Sequence, residues 1–171
     1  LGYCWAVASF GGVTTTYTDG GWLGKLHAVQ LTELEAQTPY RYSCNGGTEF
    51  PFVSPPPPGL ASFPMVVAAV ADLGSRCSRT GGGCGNSTFD SLERSAVDQK
   101  IGLLLHAGDI AYTSGKQSVW DEYGRDIEGT AARIPYAVAP GNHEHYYNFT
   151  AYRHRFDMPQ KETSENLWWS F

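Results

Sequence analysis

Three predominantly apolar runs organise the second part of the chain. They cover residues 65–71, 101–107 and 134–139, with the sequences MVVAAVA, IGLLLHA and IPYAVA. Each run is apolar almost throughout, a pattern typical of strands that are buried on both faces. Segments with helical spacing separate the runs. The alternation predicts a parallel sheet covered by helices on both faces, in an α/β arrangement.

Two helices are predicted between these strands. In residues 87–100, apolar side chains recur at helical spacing, at Phe89, Leu92, Ala96 and Val97. Residues 119–133 predict a second helix, although Gly124 and Gly129 weaken its helical propensity. The acidic side chains of this second helix are expected on its solvent face: Asp121, Glu122 and Asp126.

Residues 1–53 show a different pattern. Short segments rich in β-branched and aromatic residues alternate with glycine turns, which is typical of β-strands. About four strands are visible where a complete immunoglobulin-like sandwich has ~7, so we expect a partial immunoglobulin-like β-sandwich. Residues 54–63 contain four consecutive prolines and predict a stiff linker, with a docking site for a proline-binding module as the less favoured alternative. Residues 64–171 are expected to form an incomplete α/β domain, and the final NLWWSF to be a further strand.

Charge and hydropathy exclude two classes of partner. The net charge is −5 and no basic run occurs, so the sequence has no electrostatic footprint for nucleic acid. The apolar runs are too short to span a bilayer, so no membrane insertion is expected.

Sequons and cysteines indicate an oxidising compartment. Asn86 and Asn148 each begin an Asn-x-Ser/Thr triplet and are candidate glycosylation sites. The cysteines number four, which permits three disulfide connectivities or free thiols: Cys4, Cys44, Cys77 and Cys84. Together these features favour the secretory pathway, with the cell surface, the extracellular space, a vacuole or a lysosome as destinations.

Polar residues follow each apolar run. Asp72 follows the first, Asp109 and Tyr112 follow the second, and Asn142 and His143 follow the third. Because the carboxyl ends of parallel strands meet at one edge of a sheet, these side chains are expected to lie together. Each motif alone is also compatible with an ordinary turn, and the three in succession make a site the better interpretation.

The donor types at this edge indicate metal binding. Carboxylate, amide and phenolate oxygens suit a hard or trivalent cation, and nearby imidazole widens the choice to iron, zinc or manganese. Asp109 has two oxygens and could bridge two metals ~3.5–4 Å apart. His106 lies inside an apolar run and is expected in the core. The other histidines are expected at the surface or behind the site: His27, His145 and His154.

The three motifs DLG, GDIAY and GNHE resemble those of the calcineurin-like metallophosphoesterases, and the tyrosine of the second resembles the purple acid phosphatase branch. The likeness extends over most of the chain. Residues 26–46 resemble the end of that branch's N-terminal fibronectin-like domain, and residues 119–144 resemble its approach to the third motif.

The resemblance implies a role for each matching residue. Asp72 would bind a ferric ion, Asp109 would bridge both metals, and Tyr112 would bind the ferric ion as a coloured phenolate. Asn142 would bind a divalent iron, zinc or manganese ion. His143 would help to protonate or orient the leaving group. The implied activity is hydrolysis of phosphomonoesters at acidic pH, by an acid phosphatase that uses an Fe(III)–M(II) pair.

The family's Val-x-x-His and Gly-His-x-His motifs do not occur in these 171 residues. We therefore expect a C-terminal half, as a separate cleaved chain or a further segment, to complete the site, and this chain alone to be inactive. A phosphate ester is the expected substrate, and a homo-oligomer is compatible with the sequence. The alternative is an inactive phosphatase-like domain that serves as a structural or binding module of an extracellular assembly. Phosphodiester or nucleotide hydrolysis at the same centre is a third interpretation.

Overall fold

A three-stranded parallel sheet forms the centre of the second part of the chain. The computed structural model describes residues 8–59, 64–76 and 86–170. The sheet has the strand order β5-β6-β7, with strands Val67–Val70, Leu103–Ala107 and Tyr136–Ala139. Ala69 pairs with Leu105, and Leu105 with Ala137, both in parallel register. The three apolar runs therefore form the expected parallel strands.

Helices connect and follow these strands. Their bounds are Asn86–Val97 for α1, Gln117–Ala131 for α2, Thr150–Arg155 for α3 and Lys161–Ser164 for α4. Helix α2 continues through Gly124 and Gly129, as predicted. Short 3₁₀ turns occur at Asp19–Gly21 and Asn142–Glu144. Within the described part of the chain, no helix combines the length and apolarity needed to cross a membrane.

Helices α1 and α2 lie on the same face of the sheet and pack against each other. The rings of Phe89 and Tyr123 make an edge-to-face contact with centroids 6.1 Å apart. Leu104 and Val138 are fully buried beneath them. On the opposite face Val67 is 41% exposed, so the prediction of a sheet covered on both faces is wrong for the described residues.

The N-terminal part consists of two separate antiparallel ladders. One joins β1 (Val13–Thr15) to β2 (Leu26–Ala28), and the other joins β3 (Pro39–Ser43) to β4 (Glu49–Val53). No strand of residues 8–59 links the two ladders into one sheet. The sequence patterns did not single out β4, because its central Pro51 is unusual in a strand; an edge strand tolerates it.

Tyr17 and Trp22 anchor the first ladder to the α/β part. Both side chains are buried, and their rings stack with centroids 4.5 Å apart. The Tyr17 hydroxyl donates to Gln117 Oε1 at 2.7 Å and accepts from Arg155 Nε at 2.7 Å. The guanidinium of Arg155 lies 4.5 Å from the centre of the Trp22 ring. An arginine of α3 thus lies against both N-terminal aromatic rings.

Two of the three acids expected on the solvent face of α2 are instead paired. Asp121 lies 2.8 Å from Arg155 and accepts from Trp22 Nε1 at 3.1 Å. Asp126 accepts from the backbone N–H of Arg76 at 2.8 Å. The prediction was wrong for Asp126, whose side chain is 19% exposed, whereas the Asp121 side chain is 37% exposed and Glu122 is exposed as expected.

The final aromatic segment is not a strand in the described residues. Glu165 and Asn166 have φ angles of 51° and 67°, which turn the backbone after α4. Asn166 is buried and holds this turn, since its side-chain amide donates to Phe156 O at 2.6 Å and its oxygen accepts from Met158 N–H at 2.9 Å. The prediction of a strand here was therefore wrong.

The cysteines and sequons are only partly described. Cys44 is exposed and free, and the described residues contain no disulfide. The other three cysteines, Cys4, Cys77 and Cys84, lie outside the described residues. Asn148 is exposed, and Asn86 begins α1.

Candidate metal centre

The predicted site residues come together at the carboxyl edge of the sheet. Asp72 and Asp109 each lie two residues beyond the ends of β5 and β6, and Asn142 lies three residues beyond β7. Backbone hydrogen bonds hold the first two loops together, since Asp72 N–H donates to Gly108 O at 3.2 Å. The edge location predicted from the sequence matches the structure.

Three of these residues have left-handed backbone conformations. The φ angles are 55° at Asp72, 50° at Asp109 and 51° at Tyr112. Such angles cost roughly 1–2 kcal/mol per non-glycine residue because Cβ approaches the following carbonyl. Strain of this kind persists where the surrounding structure fixes it, and it is concentrated at functional sites.

The Tyr112 hydroxyl joins the two carboxylates. It donates to Asp72 Oδ1 at 2.6 Å and lies 3.2 Å from Asp109 Oδ2. The hydrogen bond to Asp72, together with the negative charge of both carboxylates, raises the pKa of Tyr112 above its usual value of 10.0. The hydroxyl proton thus lies among three oxygen atoms, one each from Tyr112, Asp72 and Asp109. A cation in its place could bind all three oxygens. The residues present therefore fit one side of a hard-cation site.

His143 lies beside this cluster. Its backbone N–H donates to Asp109 Oδ1 at 3.0 Å, and its Nε2 is 4.0 Å from Asp109 Oδ2. The imidazole ring lies 4.6 Å from the Tyr112 ring between centroids and is 40% exposed. The neighbouring Asn142 is also exposed. Both side chains are accessible to a molecule that approaches the edge.

Glu144 is a residue whose role the sequence did not reveal. It is 4% exposed, yet its carboxylate is fully engaged. Oε2 accepts from the backbone N–H groups of Asp109 at 2.9 Å and Gly141 at 2.7 Å, and Oε1 accepts from Ile110 N–H at 2.9 Å. The sequence does contain one signal, because Glu144 is an acidic residue within the GNHE motif. When such a carboxylate is buried, it requires hydrogen-bond partners.

The loops approach so closely that two glycines are required. A Cβ on Gly141 would overlap the backbone and carboxylate of Asp109. A Cβ on Gly108 would lie 2.8 Å from Gly141 Cα, and Gly108 also has a φ of 79°. Side chains at either position would separate the second loop from the third.

The described residues contain no cluster of three or more His, Cys, Asp or Glu side chains able to hold a metal. The donors that meet here are two carboxylates and one phenol. The exposed Asn142 lies on the neighbouring loop.

Within the described residues, no other histidine joins Asp72 and Asp109 in a metal-binding group. His106 is 1% exposed, and its Nδ1 lies 2.7 Å from the Tyr136 hydroxyl and 3.2 Å from the Tyr123 hydroxyl. Burial lowers its pKa from 6.5 to about 4. His106 is thus a core residue, as predicted. The expected surface histidines are all exposed: His27, His145 and His154.

Comparisons with known proteins agree on one family. Residues 65–170 match the calcineurin-like phosphoesterase family. Purple acid phosphatase 22 of Arabidopsis thaliana is 33% identical over 159 residues, which covers 86% of this chain and 33% of that protein. Acid phosphatase type 7 of Danio rerio is 33% identical over 163 residues, which covers 85% of this chain and 32% of that protein.

A solved structure shows the same likeness. A purple acid phosphatase from the seeds of yellow lupin (Lupinus luteus) superposes with a TM-score of 0.72 at 25% identity. The match covers 94% of this chain and 35% of the lupin protein. The chain therefore spans about a third of the length of the relatives it matches.

Proposed function

This chain belongs to the calcineurin-like phosphoesterase family, among relatives that are purple acid phosphatases, and we propose that it supplies the N-terminal half of the catalytic domain of a metal-dependent phosphomonoesterase. The single observation that carries the proposal is the Tyr112 hydroxyl, which lies within 3.2 Å of oxygens from both Asp72 and Asp109. Because a tyrosine and two acids from successive strand ends converge on one point, the edge offers the donor set that the family motifs imply.

Asp72, Asp109 and Tyr112 would hold a ferric ion, and Asp109 would share a second, divalent ion with Asn142. This assignment is supported by the oxygen-rich donor set, which suits hard cations. When bound, such a pair of metals supplies Lewis acidity and lowers the pKa of a water. The divalent ion would be iron, zinc or manganese.

His143 would act on the phosphate ester. Its backbone N–H is fixed to Asp109, so the imidazole is held beside the donor cluster while remaining 40% exposed. A histidine in this position can bind a phosphate oxygen and donate a proton to the leaving oxygen. We therefore assign it the role of orienting the ester and protonating the leaving group.

The other parts of the proposal concern the complete protein. A C-terminal half would supply the histidine ligands and cover the sheet face on which Val67 is exposed. Residues 1–53 would belong to a fibronectin III-like domain, residues 54–63 to a linker, and residues 64–171 to the catalytic domain. A secretory location is supported by the exposed sequon residue Asn148.

The test is hydrolysis of p-nitrophenyl phosphate at acidic pH by the complete protein that contains this chain. Asp109→Asn should lower kcat at least about a hundredfold, because the shared negative charge is lost. Asp157→Asn is the matched control, since Asp157 is exposed and, among the described residues, pairs only with Lys161 at 3.1 Å. A wild-type protein that hydrolyses no phosphomonoester would favour the inactive structural or binding module instead.

A further inference from the structure

We propose that Glu144 is a positioning residue that fixes the distance between the second and third loops of the site, and so the position of Asp109 relative to His143. The inference rests on the proposed function and adds a residue to which no role has been assigned above. Glu144 itself contacts neither the phenol nor the other carboxylates. It acts through the backbone of the residues around it.

The contacts of Glu144 are specific in number and direction. Its two oxygens accept three backbone N–H groups at 2.7–2.9 Å. Two of these donors, Asp109 and Ile110, belong to the second loop, and the third, Gly141, belongs to its own loop. The side chain therefore ties one loop to the other.

The tie is reciprocal. Glu144 of the third loop accepts from the backbone of Asp109, while Asp109 of the second loop accepts from the backbone N–H of His143 at 3.0 Å. Each loop thus holds the other by a carboxylate that binds backbone. A shift of either loop would break bonds in both directions, which fixes the separation between Asp109 and His143.

Only a carboxylate satisfies this arrangement. An amide at position 144 would have one oxygen for three N–H donors, and its NH₂ group would face at least one of them. Ile110 is 0% exposed, so its N–H cannot turn to water instead. Since unsatisfied buried donors are costly, an amide here would push the two loops apart.

The experiment uses the complete protein with Glu144→Gln, and Glu144→Asp as a second variant that retains both oxygens on a shorter side chain. Hydrogen exchange of the metal-free protein is read at the amides of Asp109, Ile110 and Gly141. The same preparations are titrated with zinc, and kcat and KM are measured on p-nitrophenyl phosphate.

Two control variants separate positioning from stability. Leu92→Ala removes a core side chain of α1 that is 8% exposed and makes no hydrogen bond to the loops, so it should lower Tm without altering metal binding. Glu122→Gln changes an exposed glutamate in the same way as Glu144→Gln changes the buried one.

In Glu144→Gln the three amides should lose exchange protection, and zinc affinity and kcat should each fall about tenfold to a hundredfold, with KM changing less than about twofold. Glu144→Asp should be intermediate and provides the test if the Gln variant does not fold. If both variants keep zinc affinity and kcat within about twofold of wild type, the positioning role is wrong while the phosphatase proposal stands. A wild-type protein that neither binds zinc nor hydrolyses the ester would overturn both.

Discussion

At the scale of single residues, the candidate site is assembled by hydrogen bonds that run between loops. Tyr112 contributes the phenol that reaches both Asp72 and Asp109. The left-handed backbone at these three residues directs the side chains toward each other. The chemistry of the edge therefore depends on backbone geometry as much as on residue type.

Replacing Tyr112 with Phe removes this shared hydroxyl. In the complete, metal-loaded protein we expect Tyr112→Phe to lose the visible absorption that a phenolate bound to iron would give. The fold should be preserved, because the Tyr112 side chain is only partly buried. Visible absorption and circular dichroism spectra check both expectations. A Phe variant that keeps the colour of the wild type would show that another group binds the iron.

Gly141→Ala tests the close approach of the loops. The added Cβ would collide with the backbone and carboxylate of Asp109, so metal content and activity should both fall at least about tenfold. Gly124→Ala is the matched control, because nothing lies within 4 Å of its added Cβ and alanine favours the helix. Elemental analysis of the two purified variants provides the comparison, and equal metal content in both would contradict the account.

The sequence sufficed to place five candidate residues at one edge, because apolar runs and the polar residues after them indicate strand ends. Glu144 could not be assigned in the same way. Its partners are backbone N–H groups of Asp109 and Ile110, which any sequence would contain. Only the three-dimensional approach of the loops reveals that this carboxylate binds them.

At the scale of elements, the parallel sheet could be predicted from the sequence, but the face of the sheet on which the helices lie could not. Strands β5, β6 and β7 lie in sequential order, so right-handed connections in one direction place α1 and α2 on the same face. Strand order depends on which edges pair, and hydrophobic periodicity carries no information about that. The expectation of helices on both faces failed for this reason.

His106, which lies on the central strand β6, should make the free energy of unfolding depend on pH. Its folded-state pKa is about 4, against 6.5 ordinarily, because burial disfavours the charged imidazole. Between pH 4 and 6.5, position 106 of the unfolded chain binds more protons than in the folded protein. The contribution of the neutral, buried His106 to stability is therefore complete above about pH 6.5 and is lost as the pH falls toward 4. The loss amounts to at most about 3 kcal/mol.

Urea unfolding of the protein between pH 4.5 and 7 measures this dependence. His106→Gln removes the titrating group while retaining a polar side chain near the hydroxyls of Tyr123 and Tyr136. The variant should show a flatter dependence of the unfolding free energy on pH across this window. An unchanged slope would mean that His106 does not titrate as its burial implies.

At the scale of the whole molecule, Arg155 connects the N-terminal ladder to the α/β part. Its guanidinium lies over the Trp22 ring, donates to the Tyr17 hydroxyl and pairs with Asp121 at 2.8 Å. These contacts explain why the two parts pack together although no strand within the described residues joins their sheets. No sequence pattern indicates this cluster, because Tyr17 and Arg155 lie 138 positions apart in the chain.

Arg155→Ala should lower the free energy of unfolding by about 1–3 kcal/mol, since cation–π contacts and a partly exposed ion pair are lost together. Arg155→Lys should recover only part of this loss, because an ammonium lacks the planar fork. Arg125→Ala, at an exposed position of α2, is the control. Urea denaturation compares the three variants, and an Arg155→Ala protein as stable as the control would contradict the role assigned to the cluster.

We propose that this chain would provide oxygen donors of a two-metal site that the rest of the protein completes. The most direct test is the metal content of the complete protein, purified without chelators and analysed by elemental mass spectrometry. The account predicts about one iron and one further transition metal per molecule, with both reduced in Asp109→Asn. A protein without bound transition metal would contradict it, and the convergence of Asp72, Asp109 and Tyr112 would then have no role in metal binding.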